Sequence, residues 1–284
     1  MTATILSLQS WVAYGHVGNA AAMFPLQRLG AEVWGVHTVQ FSNHAGYGAW
    51  GGRVFDAEAI AEVVAGIAAR GVLASCDAVL SGYLGDAAIG DAVLAAAARV
   101  KAANPRALWC CDPVIGDVGR GVYVRAGVAA FFAERALPRA DLITPNHFEL
   151  EHLTGCRVVT LSDAKAAVAV LHDRGPRGVL VTSLRTEATP ADAIDLLAAA
   201  DGACFLLRTP LLDTAVKGTG DVIAALFLLH WLRTRDLRAA LENAASALFG
   251  VLRRTAAARA PELLLVAAQQ ELVAPSRWFN ATPV

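Results

Sequence analysis

Short apolar runs alternate with helical stretches of about 12–18 residues along most of the chain, and this alternation constrains the fold more than any other feature. The runs "TILSLQS", "EVWGVHTVQFS", "DAVLSGYLG", "ALWCCDPVIGD", "DLITPN" and "GVLVTSL" read as strands. Between them lie "GNAAAMFPLQRLG", closed by Gly30 and made irregular by Pro25, and helical stretches over 56–70 and 86–103. Such a βα alternation implies an α/β fold with a mostly parallel central sheet and helices on both faces. The first strand is expected to end at Ser10. The segment "NHAGYGAWGGRVF" is rich in Gly and aromatic residues and reads as a loop or flap. A polar, hairpin-like region is expected over 186–210, ahead of a glycine loop and a helical remainder. No internal repeat or linker interrupts the pattern.

In sheets of this kind ligands bind beyond the carboxyl ends of the strands. Polar residues fall there repeatedly: Ser10, Ser42–His44, Ser81–Tyr83, Asp112, Thr144–Asn146 and Thr182–Ser183 each follow an apolar run. One such residue is ordinary turn chemistry; six at equivalent places suggest a site. Hydrophobic residues at 56% supply a large core, and a net charge of -1 gives no electrostatic case for a nucleic-acid partner. The N-terminal "MTATILSLQSW" lacks a basic, then apolar, leader pattern, so a cytoplasmic location is expected. The longest apolar run, 222–232, is too short to span a bilayer and reads as a buried helix, so no membrane association is expected. The five cysteines form no C-x-x-C pair, and adjacent Cys110 and Cys111 in a strand face opposite ways.

The stretch "DTAVKGTGDV" precedes that helix. It is not a Walker A loop, because Lys217 comes before the glycines, and it is not a dinucleotide G-x-G-x-x-G turn. Gly218, Thr219 and Gly220 do open a helix, where unpaired backbone N–H groups and the macrodipole favour an anion. Asp221 then has two readings. It is a favoured residue for capping a helix start, and it is equally a general base beside a bound phosphoryl group.

Taken with "QSWVAYGHVGNAAAMFPLQRLG", "TVQFSNHAGYGAW", "DAVLSGYLG", "CDPVIGD" and "ITPNHFELE", the "GTGD" turn resembles the ribokinase-like superfamily, and within it the pyridoxal kinases. The resemblance runs nearly the whole length and implies a single domain over residues 1–284, a flap over the substrate site, ATP and Mg²⁺ as cofactors, and a homodimer. It implies phosphorylation of the 5′-hydroxymethyl group of pyridoxal and related B6 vitamers. By the same resemblance Asp221 is the catalytic base, and Gly218, Thr219 and Gly220 form the anion hole. Ser10 meets the pyridine ring substituents, Tyr83 walls the ring, and His44 and Ala45 lie in the flap. Asp112 and Glu149 belong to the network around Mg²⁺ and the phosphates. Asp117, Thr144, Asn146, Thr182 and Ser183 are further nucleotide contacts, Tyr123 is a lid residue, and Lys217 stands next to the phosphates. The residue types suit the chemistry, since an alcohol needs a proton acceptor and magnesium takes scattered oxygen ligands.

Two positions depart from the family pattern. The flap motif has threonine where this chain has Ala45, a loss of one neutral hydrogen bond worth roughly 0.5–1.5 kcal/mol. That weakens pyridoxal binding or alters the preference among ring alcohols such as hydroxymethylpyrimidine. It also leaves open a non-catalytic carrier of pyridoxal phosphate. Lys217 is the other, one of only three lysines in the chain. If it adds positive charge to the cradle, Lys217→Ala weakens both ATP and product affinity in equilibrium binding; unchanged affinities make it a solvated surface lysine.

Overall fold

The computed structural model describes residues 2–284. The strands are β1 (Thr4–Val12), β2 (Glu32–Phe41), β3 (Gly52–Val54), β4 (Ala78–Ser81), β5 (Leu108–Cys111), β6 (Gly116–Asp117), β7 (Gly121–Val122), β8 (Leu142–Ile143), β9 (Gly178–Leu184), β10 (Ala193–Ala200), β11 (Ala203–Pro210) and β12 (Thr282–Pro283). The helices are α1 (Asn19–Arg28), α2 (Ala57–Ala68), α3 (Ile89–Ala103), α4 (Val128–Phe131), α5 (His147–Thr154), α6 (Leu161–Asp173), α7 (Thr219–Thr234), α8 (Leu237–Ala257) and α9 (Gln269–Val273). Among the described residues ten strands form one sheet in the order β12-β11-β10-β9-β8-β5-β4-β1-β2-β3. The six strands β9, β8, β5, β4, β1 and β2 are mutually parallel and adjacent. These are the six that end in polar residues, so all six polar ends fall on one edge of the sheet.

Strand alternation distributes the apolar side chains between two helix layers. Leu6, Val79, Cys111, Ile143 and Val179 pack with residues of α2, α3, α5 and α6. Their neighbours Ile5, Leu80, Cys110 and Leu142 pack with α1 and α7. Cys110 and Cys111 thus face opposite ways, as expected. Leu180 joins α7 and α8 in a further cluster. Residues Val222–Leu229 of α7 are all buried, because this helix lies under α8 and against α1. Among the described residues no helix is long and apolar enough to cross a membrane.

Three local features differ from the sequence reading. β1 runs two residues past Ser10, with a register irregularity against β2 between Gln9 and Trp11. The flap holds a 3₁₀ turn, Ala45–Tyr47, and returns through β3, which is too short to show any periodicity. The region over 186–210 does form a hairpin, β10–β11, but an apolar one. It extends the central sheet, and Leu197 is fully buried. Asp195, also buried, is neutralised there by Arg208, with Nε 2.7 Å from Oδ1. Polar residues flank the hairpin, and they masked its core-facing positions. Leu197→Ala is expected to lower the unfolding free energy by about 2–5 kcal/mol in urea titration, as for other buried leucines. A surface hairpin would lose roughly 0.5 kcal/mol or less.

Candidate active site

The glycine loop meets the sheet edge at the start of α7. Gly218 has φ 88°, in the left-handed region, and a Cβ built on it would lie 1.8 Å from the His16 carbonyl oxygen. Both facts require glycine. The first intrahelical bond runs from the Val222 N–H to the Gly218 carbonyl at 3.0 Å. The N–H groups ahead of it have no partner a turn earlier in the helix, and Gly218, at the N-cap, carries no capping side chain. Asp221 is the third residue of α7, inside the first turn. The N–H groups of Gly18 and of Asp221 itself favour its charged form, but burial outweighs them and pushes its carboxyl up to about 6.

Opposite lies an acidic wall. Asp112 follows β5 and is 6% exposed; its Oδ1 accepts from the Thr144 hydroxyl at 2.8 Å. Glu149, 4% exposed, belongs to a capping box at the start of α5. Its Oε2 accepts from Asn146 N–H at 2.9 Å, and its Oε1 from Ile115 N–H at 2.9 Å and Gly116 N–H at 3.4 Å. The first-turn acid is therefore also a clasp on the loop after β5. Burial raises the pKa of both acids. Asp221 adds to the effect on Asp112, and Asp112 to that on Glu149. Among the described residues no three His, Cys, Asp or Glu side chains form a cage for a metal ion. A crowded set of buried carboxylates with few compensating charges does fit a hard dication that keeps several waters.

The hairpin β6–β7 overhangs this wall. It presents Asp117, while exposed Tyr123 follows it with the Arg120 guanidinium 5.4 Å from the ring centroid. Thr182 is buried and bridges to Asn146, and Ser183 takes φ 50°, a left-handed conformation uncommon for serine. At the other end of the cavity, the irregularity in β1 sits at Ser10, the kind of local bend that re-aims a side chain. Ser10 is packed so closely that a Cβ on Gly18 would lie 2.2 Å from its Oγ. Tyr83 packs on Val12, Val39 and Phe41, and its phenol is held above its usual pKa by burial.

The two nitrogens of His44 are both engaged. Nδ1 accepts from Gly46 N–H at 3.1 Å, and Nε2 lies 3.2 Å from Glu262 Oε1. The bond to Nδ1 leaves the proton of the neutral ring on Nε2, and the ring lies against Tyr47 with centroids 4.6 Å apart. Ala45 begins the 3₁₀ turn beside it.

Ser10, His44, Ala45, Tyr83, Asp112, Asp117, Tyr123, Thr144, Asn146, Glu149, Thr182, Ser183, Lys217, Gly218, Thr219, Gly220 and Asp221 all line one cavity of about 640 Å³. Every residue given a site role by the resemblance is among them, whereas Ser42, Asn43, Ser81 and Gly82 of the polar strand ends are not. Lys217 forms no ion pair with any described residue. Sequence reasoning missed Arg120 and Glu262. Arg120 sits in a short hairpin without periodicity, and Glu262 reaches the flap from 215 residues beyond Tyr47, so no local pattern marks it.

A model of the phosphomethylpyrimidine kinase family matches residues 53–260. The chain is 59% identical over 281 residues to pyridoxal kinase PdxY of Granulibacter bethesdensis, covering 98% of each chain. It is 56% identical over 286 residues to pyridoxal kinase PdxY of Deinococcus radiodurans, covering 99% of this chain and 96% of that one. Among solved structures it is similar to pyridoxal kinase from Leishmania donovani in complex with ADP and pyridoxamine. That likeness has a TM-score of 0.91 and 30% identity over 99% of both chains. A sheet edge with an acid-flanked glycine cradle, and full-length relatives at this identity, lead to one conclusion: the chain belongs to the pyridoxal kinases, with their ribokinase-like fold.

Proposed function

We propose that this chain, working as one domain over residues 1–284, transfers the γ-phosphoryl group of ATP to the 5′-hydroxymethyl group of pyridoxal and related B6 vitamers. The reading includes a cytoplasmic homodimer. One observation carries it: a carboxylate, Asp221, stands in the first turn of α7 beside free N–H groups, in one cavity lined both by the acids Asp112 and Glu149 and by the apolar Val12, Val39, Phe41 and Tyr83.

In this mechanism Asp221 accepts the hydroxyl proton as the oxygen attacks. The N–H groups of the Gly218–Thr219–Gly220 turn hold the phosphoryl oxygens, where charge is spread in the transition state. Lys217 adds positive charge on that side. Asp112 and Glu149 are the residues that would hold Mg²⁺. Three backbone donors already occupy Glu149, so Asp112 is the freer ligand and Glu149 acts mainly through its charge. When bound, the metal neutralises phosphate charge. Asp117, Tyr123, Thr144, Asn146, Thr182 and Ser183 contact and cover the nucleotide. At the ring end Ser10 hydrogen-bonds the ring substituents, Tyr83 provides a wall, and His44 covers the ring. Ala45 supplies no hydroxyl, and ordered water takes that place.

The test is ATP- and Mg²⁺-dependent turnover of pyridoxal, with pyridoxine, pyridoxamine and hydroxymethylpyrimidine in parallel. Turnover of hydroxymethylpyrimidine alone moves the substrate and keeps the mechanism; tight retention of pyridoxal phosphate with no turnover makes the chain a carrier. Asp221→Asn is expected to lower kcat by about 10²–10⁴-fold, the usual contribution of a positioned base, with ATP affinity little changed. The base must be ionised to work, and burial holds its carboxyl up to about 6. Its acid form therefore accumulates below that pH. Asp112, raised to about 7 by burial and by Asp221, must be ionised as well to take a metal ion, so in wild type kcat/KM at sub-saturating ATP and pyridoxal should fall about tenfold or more per pH unit below about 6. A flat profile down to pH 5 would rule out this assignment.

A further inference from the structure

Few polar contacts hold the flap. Residues 45–50 are exposed, and apart from its pairing at the end of β2 its backbone hydrogen bonds are local. Trp50 stacks on Phe41 with centroids 4.2 Å apart, and Tyr47 lies 6.0 Å from Tyr14, but its two polar side-chain anchors to the body of the protein converge on one carboxylate. Glu262 Oε1 accepts from the Tyr47 hydroxyl at 2.7 Å and lies 3.2 Å from His44 Nε2. Its Oε2 accepts from His16 N–H at 3.1 Å. Glu262 is 8% exposed, and no described lysine or arginine pairs with it, so the Tyr47 hydroxyl and the His16 N–H, with the His44 ring nearby, supply its compensation. The segment bearing it is firmly seated. Leu263 and Leu265 are fully buried, and Leu264 N–H donates to the Thr255 hydroxyl at 3.1 Å.

The second oxygen matters as much as the first. His16 is the residue whose carbonyl presses on Gly218 at the phosphate cradle. On its other side, a Cβ on Gly15 would lie 2.5 Å from Glu262 Oε2, so this loop fits tightly against the carboxylate. One side chain therefore ties the cover of the ring end to the loop that backs the cradle.

We infer that Glu262 is a positioning residue: it latches the flap over the ring end through the Tyr47 hydroxyl and holds the His44 ring beside it. It lines no part of the cavity itself, and its main effect belongs to ring binding, with a lesser one on the loop that backs the cradle. The inference rests on the kinase reading above for its kinetic consequence, but the latch itself is measurable without turnover.

The experiment compares the full chain with Glu262→Gln, Glu262→Ala and Tyr47→Phe. Hydrogen–deuterium exchange of the 43–52 amides, without ligands, is expected to speed up roughly tenfold in Glu262→Ala and less in Tyr47→Phe, as bonds to a charged acceptor are lost. In turnover the KM for pyridoxal should rise roughly tenfold in Glu262→Ala, with a smaller rise in the KM for ATP because the His16 N–H also loses its acceptor, while Tyr47→Phe should raise the KM for pyridoxal alone. Adding Tyr47→Phe to Glu262→Ala should cost nothing further, because both remove the same bond. Unaltered flap exchange, a parallel rise in both KM values, or full additivity would each overturn the latch. Should the Glu262 variants fail to fold, Tyr47→Phe decides alone, since it removes one oxygen from an exposed side chain: faster flap exchange supports the latch and unchanged exchange sinks it. If the wild type phosphorylates no ring alcohol, the exchange result still tests the latch, while the kinase reading fails separately.

Discussion

The contact between Gly218 and the His16 carbonyl is the constraint on which the site depends. It pins the first turn of α7 against the loop after β1 with no room for even a methyl group. Free N–H groups of a helix start are useful only if aimed, and this contact aims them across the edge of the sheet. It also brings Gly18 N–H to Asp221 and packs Gly18 on Ser10. The two ends of the cavity, at the start of α7 and at Ser10, are therefore positioned by the same few backbone atoms. Rigid elements supply the rest: α7 is buried under α8, and β1 is paired on both sides, with β4 and β2.

Electrostatics sets the second constraint. Asp112, Glu149 and Asp221 are brought together where water is scarce, and burial disfavours the charge on each. The fold tolerates this because Thr144 serves Asp112 and three backbone donors serve Glu149, while the N–H groups of Gly18 and Asp221 offset part of the cost at Asp221. The compensation differs in kind. Glu149 is clamped by the capping box and the loop after β5, so it is spent largely on structure. Asp112 keeps an oxygen free of protein partners, and Asp221 faces the cradle. A buried acid cluster left under-compensated is a common mark of a site completed by a cation and an anionic ligand.

Much of this was legible in the chain itself, because the signals are local. The βα alternation and the polar residue after each apolar run arise from backbone periodicity and turn chemistry, and they located the site at one edge of the sheet. The helix start at Gly218 and the first-turn acids were readable for the same reason. What escaped was short or non-local. β3, β6 and β7 have two or three residues each, too few for any period. The β10–β11 hairpin read as polar because its flanks are, although Asp195 is buried and matched by Arg208 across the hairpin. The bend at Ser10 is a property of pairing with β2, which a single strand cannot display.

Sequence by itself thus determined the layered α/β architecture, the edge where chemistry collects, and the residue types available there, since each follows from neighbours within a few positions. Tertiary structure alone decided which groups share a hydrogen bond and which remain free. It made Glu149 a clasp, engaged both nitrogens of His44, and brought Glu262 to a flap 215 residues upstream. The physical reason is distance along the chain: hydrogen bonds and desolvation act over a few ångströms in space, and only folding sets which distant residues come that close.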